Sequence, residues 1–304
     1  MTTLSRLIGG KSEEIQIIDV WKENLRQVFS IIHELVEMYP FVSVDSEFPG
    51  VVATPMGYFK NRKDFNFKRI ICNVELLKVI QIGFTFFNAD GNLPPGNPVF
   101  QFNFEFNMYA DYYSPKSIEL LQKSGIDFNK HQKDGISMES FGELLTTSGL
   151  LANPKVIWLA FSSGFDFCYI IKSILCRHPP LDEIKFTHLI NTLFPSSVDL
   201  KILLKEPEPS SVKLQGGLQD VALMLQVERV GLQHTAGSDA LLTGKTFFSI
   251  KKKFFPGKWM NVINKIRGQL DGLTVEDKKS EPYSKYPKLD CITTLELCGV
   301  NCYL

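Results

Sequence analysis

The stretch 41-FVSVDSEFPG-50 poses the question on which the rest of the chain turns. Phe41, Val42 and Val44 have the apolar character of a buried strand, and Pro49-Gly50 ends the run. Asp45 and Glu47 stand two residues apart, so both project from one face of that strand. Two carboxylates that close repel each other and resist leaving water. A bound divalent cation is the most effective way to keep both ionised. Asp-x-Glu also occurs by chance in many chains, so its meaning depends on what else the sequence holds.

The chain has 304 residues, 44% of them hydrophobic and 22% charged, which are ordinary values for a globular protein with a large core. Lys plus Arg and Asp plus Glu both number 33, so there is no global basic field. Any grip on nucleic acid must therefore come from a local groove. The segment MTTLSRLIGGKSEEI lacks the apolar core of a signal peptide, and no apolar run approaches the ~18 residues of a membrane span. A soluble, intracellular protein with no membrane partner is expected. The six cysteines (Cys72, Cys168, Cys176, Cys291, Cys298, Cys302) form no CxxC pair, and NCYL is not a prenylation box.

Helical spacing over Ile17 to Met38 (Ile18, Trp21, Leu25, Val28, Phe29, Ile32, Leu35, Val36) predicts an amphipathic helix before the opening strand. Val74 to Val79 reads as a short helical pattern running into the β-rich 80-IQIGFTFF-87. After a Pro/Gly/Asn-rich turn, 99-VFQFNFEF-106 alternates with period two, and the two strands make a hairpin with a long connection. Helices are predicted over 114–125 and 137–149, each closed by Gly, followed by a buried strand at 156-VIWLAF-161. Further helices span about 165–175, 181–194, 217–226 and 238–255, with a strand within 197-SVDLKILL-204. This alternation predicts an α/β fold, a mixed central sheet with helices on both faces, ending near residue 255 or 273. The charged, Pro-containing 274-TVEDKKSEPYSKYPKLD-290 reads as a linker or partly disordered extension.

Two further acids and a histidine join the pair. Asp166 follows the 156–161 strand and enters the first turn of an apolar helix, among Phe165, Phe167, Tyr169 and Ile170. It is either a helix-start carboxylate favoured by the dipole or part of a pocket. In 231-GLQHTAGSDALLTG-244, His234 and Asp239 stand five residues apart at the entry to the last long helix. Asp239 is open to the same two readings. His33 and His188 lie within helical patterns, and His131 and His178 in loop-like contexts.

The ordered set, Asp-x-Glu on a strand, Asp opening a helix, then His-x4-Asp at a helix entry, resembles the DEDDh exonucleases of the RNase D/RNase T-like superfamily. The resemblance extends to the Caf/Pop-type deadenylases, the exonuclease subunit of the carbon-catabolite-repressor–Not complex. It is carried by 44-VDSEFPGVVATPMG-57, 68-KRIICNVELLKVIQIGFTF-86, 93-LPPG-96, 99-VFQFNFEFN-107, 117-SIELLQKSGIDF-128, 158-WLAFSSGFDF-167, 216-GGLQDVA-222 and 226-QVERVGLQHTAGSDALLTG-244. These match collinearly from about Ile15 to Phe255. Two departures stand out: SSGFDF replaces the family's frequent His-Ser-Gly-Tyr form before Asp166, and residues 274–304 match nothing in the family.

This resemblance implies an RNase H-like fold, with an N-terminal arm (1–14), one exonuclease domain (15–273) and a divergent C-terminal extension (274–304). It implies 3′-to-5′ shortening of mRNA poly(A) tails with release of 5′-AMP. Asp45, Glu47, Asp166 and Asp239 would hold two ions, Mg²⁺ or Mn²⁺, with Asp45 bridging, and His234 would be the general base. Asp45, Glu47 and Asp239 would share one ion, Asp45 and Asp166 the other. Phe48, Phe165 and Leu218 are candidates for lining the RNA groove, with core packing the alternative. The basic 251-KKK-253 reads as a solvated helix end or a phosphate contact, and the 137–149 helix as core or as a docking face. Implied partners are poly(A) RNA, the Not scaffold and a leucine-rich-repeat deadenylase, in cytoplasm and nucleus. The rival readings are a general DEDDh exonuclease acting on other single-stranded RNA or DNA, and a catalytically weak scaffold subunit.

Overall fold

In the computed structural model, Phe41–Glu47 is a seven-residue strand inside a six-stranded sheet. The structure describes residues 14–273 and, beyond them, only three two-residue strands. In chain order the first elements are strand β1 (Gln16–Val20), helix α1 (Leu25–Leu35), β2 (Phe41–Glu47), β3 (Tyr58–Phe59), α2 (Arg62–Leu76), β4 (Gln81–Phe87) and β5 (Pro98–Asn103). Next come α3 (Pro115–Lys123), α4 (Phe128–Asp134), α5 (Met138–Thr147), β6 (Ile157–Ala160), α6 (Gly164–Leu175), α7 (Glu183–Leu193) and β7 (Ser197–Asp199). The remainder is α8 (Leu200–Leu203), α9 (Pro207–Ser211), α10 (Leu218–Met224), α11 (Ala236–Phe254), α12 (Trp259–Ile266), β8 (Tyr283–Ser284), β9 (Glu296–Leu297) and β10 (Val300–Asn301).

The sheet order is β1-β5-β4-β2-β6-β7. β2 lies antiparallel to β4 and parallel to β6, so the sheet is mixed. β4 and β5 pair antiparallel, as the predicted hairpin requires. Each face carries its own core. Val42, Val44, Phe84, Phe102 and Trp158 meet α1, α2, α5 and α6 on one side. Phe41, Phe87, Val99 and Leu159 meet α11 and α12 on the other. Period two along β2 therefore sends alternate side chains into two different buried layers. The expected mixed sheet with helices on both faces is what the chain adopts.

Local differences from the sequence expectations have physical causes. Residues 16–20 form a strand, not the start of the predicted helix, because they pair in parallel register with β5. Asn24 separates the two elements: its side chain accepts from the Trp21 amide at 2.8 Å and donates to the Asp19 carbonyl at 3.1 Å. The 197–204 strand stops at Asp199, whose carboxylate caps α8 by accepting the Lys201 amide at 2.9 Å. The helical pattern at Val74–Val79 is the end of α2, which stops at Leu76 as Leu77 turns extended. Helices α4 and α12 were not anticipated. Phe141 and Leu145 on the 137–149 helix are core residues.

Residues 1–13 and most of 274–304 lie outside the described residues, so the expectations for both termini fall largely there; β8 pairs antiparallel with β3. Cys72, Cys168 and Cys176 are free thiols, and Cys291, Cys298 and Cys302 fall outside the described residues. Among the described residues no helix is long and apolar enough to cross a membrane.

Candidate active site

Because β2 and β6 run parallel, their carboxyl ends open on the same edge of the sheet, where α/β folds place their ligands. β2 delivers Asp45 and Glu47 there, and the turn after β6 delivers Asp166 in the first turn of α6. The third contribution is α11, which begins at Ala236 and carries Asp239 in its first turn. Asp45 pairs with Gly83 and Glu47 with Gln81 on β4, beneath the start of α11.

That helix sits against the strands without intervening side chains. A Cβ on Gly83 would run into the Ala236 carbonyl and lie 2.8 Å from the Gly237 nitrogen. At Gly244 a Cβ would collide with the Phe87 ring. The small residues of 236-AGSDALLTG-244 are thus what lets Asp239 reach the strand that carries Asp45 and Glu47. The α11 N-terminus has no cap from Thr235. Gln81 Oε1 accepts the Ala236 amide at 3.2 Å, and Gln101 Oε1 accepts the Gly237 amide at 3.0 Å. Gln101 and Asn103 donate in turn to Asp19 Oδ1 at 2.9 and 3.0 Å, and Gln81 donates to Asn103 at 2.8 Å. Two glutamines from the sheet therefore cap the helix that carries a candidate ligand.

Asp166 is held from two sides. The Ser46 hydroxyl donates to its Oδ1, which links the opposite face of β2 to α6. The turn before α6 is fixed by the fully buried Asp199. Its carboxylate accepts the amides of Ser162 (2.9 Å), Ser163 (3.1 Å) and Asp271 (3.0 Å), and the Ser163 hydroxyl at 3.0 Å.

Glu47, His234 and Asp239 each bring a ligand atom within 4.8 Å of the others. His234 has φ 61°, a left-handed backbone that non-glycine residues rarely adopt. Such strain marks functional positions. Its amide donates to Asp239 Oδ2 at 3.0 Å. Asp239 Oδ1 pairs with Arg229 Nη2 at 2.7 Å. Asp45 and Asp166 lie outside that trio but belong to the same electrostatic cluster. Burial first, then the charges of Asp166, Asp239 and Glu47, hold the Asp45 carboxyl well above the usual range, with Arg229 opposing. Burial, reinforced by Asp239 and Asp166, pushes Glu47 up to about 8. Burial raises Asp166 to about 7 against the pull of the Ser46 hydroxyl, and the Asp199 charge adds to the rise.

Three of the five sequence-predicted residues, Glu47, His234 and Asp239, thus converge, and Asp45 and Asp166 share the electrostatics of the two acids among them. The donor set is carboxylate oxygens with one imidazole, which is hard-cation chemistry suited to Mg²⁺ or Mn²⁺. A cluster that takes up protons in place of countercharge has the electrostatic demand that divalent cations satisfy.

Of the groove candidates, Phe48 stacks on Phe165 with ring centroids 4.4 Å apart and planes at 22°, beside Glu47 and Asp166. Both rings are half-buried and pack against the core, so they form one platform at the rim. Leu218 is half-buried at the start of α10. Lys251 is some 18 Å along α11 from Asp239 at the helical rise, and its ammonium lies over the rings of Phe41, Phe248 and Trp259. It does not face the acidic cluster. Sequence reasoning missed Ser46, Gln81, Gln101, Asp199 and Arg229. For the four strand residues Ser46, Gln81, Gln101 and Asp199 the available signal was their place in a sheet covered on both faces, where a polar position is not a solvent position; Arg229, in the loop before α11, carried no such signal.

The match to a family model covers residues 20–141, the CAF1 family ribonuclease. The chain is 50% identical to CCR4-NOT transcription complex subunit 7 of Caenorhabditis elegans, over 86% of this chain and 84% of that one. It is 44% identical to the poly(A) ribonuclease pop2 of Schizosaccharomyces pombe, over 88% and 78%. Among solved structures, S. pombe Pop2p with Mg²⁺ and Mn²⁺ bound superposes with a TM-score of 0.80 at 45% identity, covering 84% of this chain and 99% of that one. A chain in the structure of the yeast NOT1 MIF4G domain co-crystallised with CAF1 matches with a TM-score of 0.71 at 29% identity, over 84% of this chain and 96% of that one.

Proposed function

The chain belongs to the CAF1 ribonuclease family, and from that membership and the site's geometry we propose that it is a poly(A)-specific 3′-to-5′ exoribonuclease, the catalytic subunit of a CCR4-NOT-type complex. The observation that carries the reading is the convergence of Glu47, His234 and Asp239 beside Asp45 and Asp166, in a chain 45% identical to a metal-bound Pop2p. Asp45, Glu47, Asp166 and Asp239 would hold two divalent ions, Asp45, Glu47 and Asp239 serving one and Asp45 with Asp166 the other. Two such ions, when bound, supply Lewis acidity at the attacking and leaving oxygens of an in-line phosphoryl displacement.

The chain's own residues do the rest. His234 Nδ1 or Nε2, set at the rim by its left-handed backbone and by the hydrogen bond its amide donates to Asp239, takes the proton of the attacking water. Ser46 and Asp199 keep the Asp166 carboxylate at the sheet edge. The Phe48–Phe165 platform offers a flat apolar surface beside the acids, suited to stacking of the terminal base, with Leu218 a further groove candidate. In this reading the product is 5′-AMP, released from the 3′ end, as family membership supports.

Residues 15–273 make up the catalytic domain in this reading. The partners are poly(A) RNA, a NOT1-type scaffold and a leucine-rich-repeat deadenylase, in cytoplasm and nucleus. The scaffold is supported by the match to CAF1 seated with NOT1 MIF4G. The test is competition among poly(A), poly(U) and single-stranded DNA with Mg²⁺ supplied. Preferential shortening of poly(A) is expected; equal rates on all three would make the protein a general exonuclease.

A further inference from the structure

Among the described residues, Arg229 is the cation that reaches into the acidic cluster, and its guanidinium has a partner on each of its edges. Nε donates to Gln219 Oε1 at 2.6 Å, Nη1 to Ser238 Oγ at 2.9 Å, and Nη2 pairs with Asp239 Oδ1 at 2.7 Å. The Ser238 hydroxyl donates onward to the Val230 carbonyl at 2.8 Å, closing the 229–239 loop on itself. The ion pair is largely buried, its side chains 13% and 10% exposed. Oδ2 of the same carboxylate accepts the His234 amide. Both Asp239 oxygens are therefore aimed by the chain, and each keeps a second lone pair for a ligand.

We propose that Arg229 is a positioning residue: its fork fixes the Asp239 carboxylate in the orientation that binds an ion jointly with Glu47, and anchors that orientation to α10 through Gln219. The inference rests on the metal-dependent reading above and names no new ligand. A planar fork with three directed donors holds a carboxylate, a hydroxyl and an amide oxygen in one fixed plane. An ammonium presents its three donors from a single point on a flexible stem and does not fix that geometry. Charge and geometry are separable here. The positive charge of Arg229 opposes a divalent cation, whereas its hydrogen bonds preorganise the ligand for one. Arg229→Lys keeps the first and removes the second, so it isolates the geometric role.

The experiment is titration of the full chain with Mn²⁺ alone, without RNA, by calorimetry and by electron paramagnetic resonance. Wild type, Arg229→Lys and Gln219→Leu are compared at one pH. In Arg229→Lys one of two ions weakens by about 10- to 100-fold, the scale for losing a group that orients a metal ligand. The other ion and the melting temperature stay near wild type. Gln219 is half-exposed and contacts no proposed ligand, and Gln219→Leu weakens the same ion in the same direction by less. In turnover assays kcat of Arg229→Lys falls at fixed Mn²⁺ and recovers as Mn²⁺ is raised, while KM for oligoadenylate holds.

Wild-type Mn²⁺ affinity in both variants would overturn the proposal. So would a raised KM with unchanged Mn²⁺ binding, which would assign Arg229 to the RNA, or a joint loss of both ions with a fall in melting temperature, which would make it a structural prop. A wild-type protein that binds no Mn²⁺ would instead sink the functional reading itself.

Discussion

Gly83 on β4 and Ala236 at the start of α11 are in backbone contact, with no room between them for a methyl group. This approach puts the first turn of α11 directly over the strand pair that presents Asp45 and Glu47. Gly83→Ala forces the helix start away from the sheet, at about 1–3 kcal/mol for an overpacked core position. Nuclease turnover is expected to drop more than that loss of stability explains, because Asp239 moves with the helix. Turnover measured well below the variant's melting temperature checks this; wild-type activity would show that the contact does not set the site.

Asp199 touches no proposed ligand, yet it holds the turn that aims Asp166. Asp199→Ala leaves four backbone amides (Ser162, Ser163, Lys201 and Asp271) and the Ser163 hydroxyl without their acceptor. Each orphaned donor costs about 1–3 kcal/mol, so a large fall in melting temperature is expected. Asp199→Asn keeps an oxygen acceptor and loses the charge, so it should recover a good part of that stability. Thermal unfolding of both variants checks the order.

The metal-free cluster makes stability depend on pH with an unusual sign. Glu47 ordinarily ionises near 4.5 but is pushed to about 8 in the fold, and Asp166 is raised to about 7. Between the unfolded and folded values the native chain binds more protons than the unfolded one, so stability falls as pH rises from roughly 4.5 to 8. Below that window these groups cost nothing, and above it their full penalty is present. Melting curves in chelator should therefore shift down across the interval. Added Mg²⁺ or Mn²⁺ should raise the melting temperature most at its alkaline end, with protons released on binding. A flat difference from pH 5 to 8 would contradict the proton-for-metal exchange.

Sheet-forming segments were legible where their pattern was local. Residues 41–47, 81–87, 99–103 and 157–160 are apolar or alternating runs bounded by turn residues, and all are strands. The 16–20 strand was not legible, because Ile17 and Ile18 sit at helical spacing from Trp21 and Leu25. Only the parallel partner β5 decides the matter. Helix α2 was mostly missed since its buried face includes the polar Asp64 and Asn73, and the burial of Asn73 depends on distant partners, the Val52 and Ala53 amides.

The five site residues were legible because their spacing and order are chemically distinctive. Their supports were not. Gln81, Gln101 and Asn103 look like the solvent-facing half of two alternating strands, and only a helix packed over that face turns them into caps. Arg229 stood within a segment that carried the family resemblance, but its role depends on Asp239 arriving from the next helix.

The most direct test of the central claim is hydrolysis of a 5′-labelled oligoadenylate by the full chain with Mg²⁺ supplied, beside the Asp45→Ala/Glu47→Ala double variant. The account predicts stepwise shortening from the 3′ end with 5′-AMP as product. In the double variant, which retains its fold, the rate should fall by about a thousandfold or more, the scale for losing groups that stabilise transition-state charge. Undiminished shortening by the double variant would contradict the proposed site.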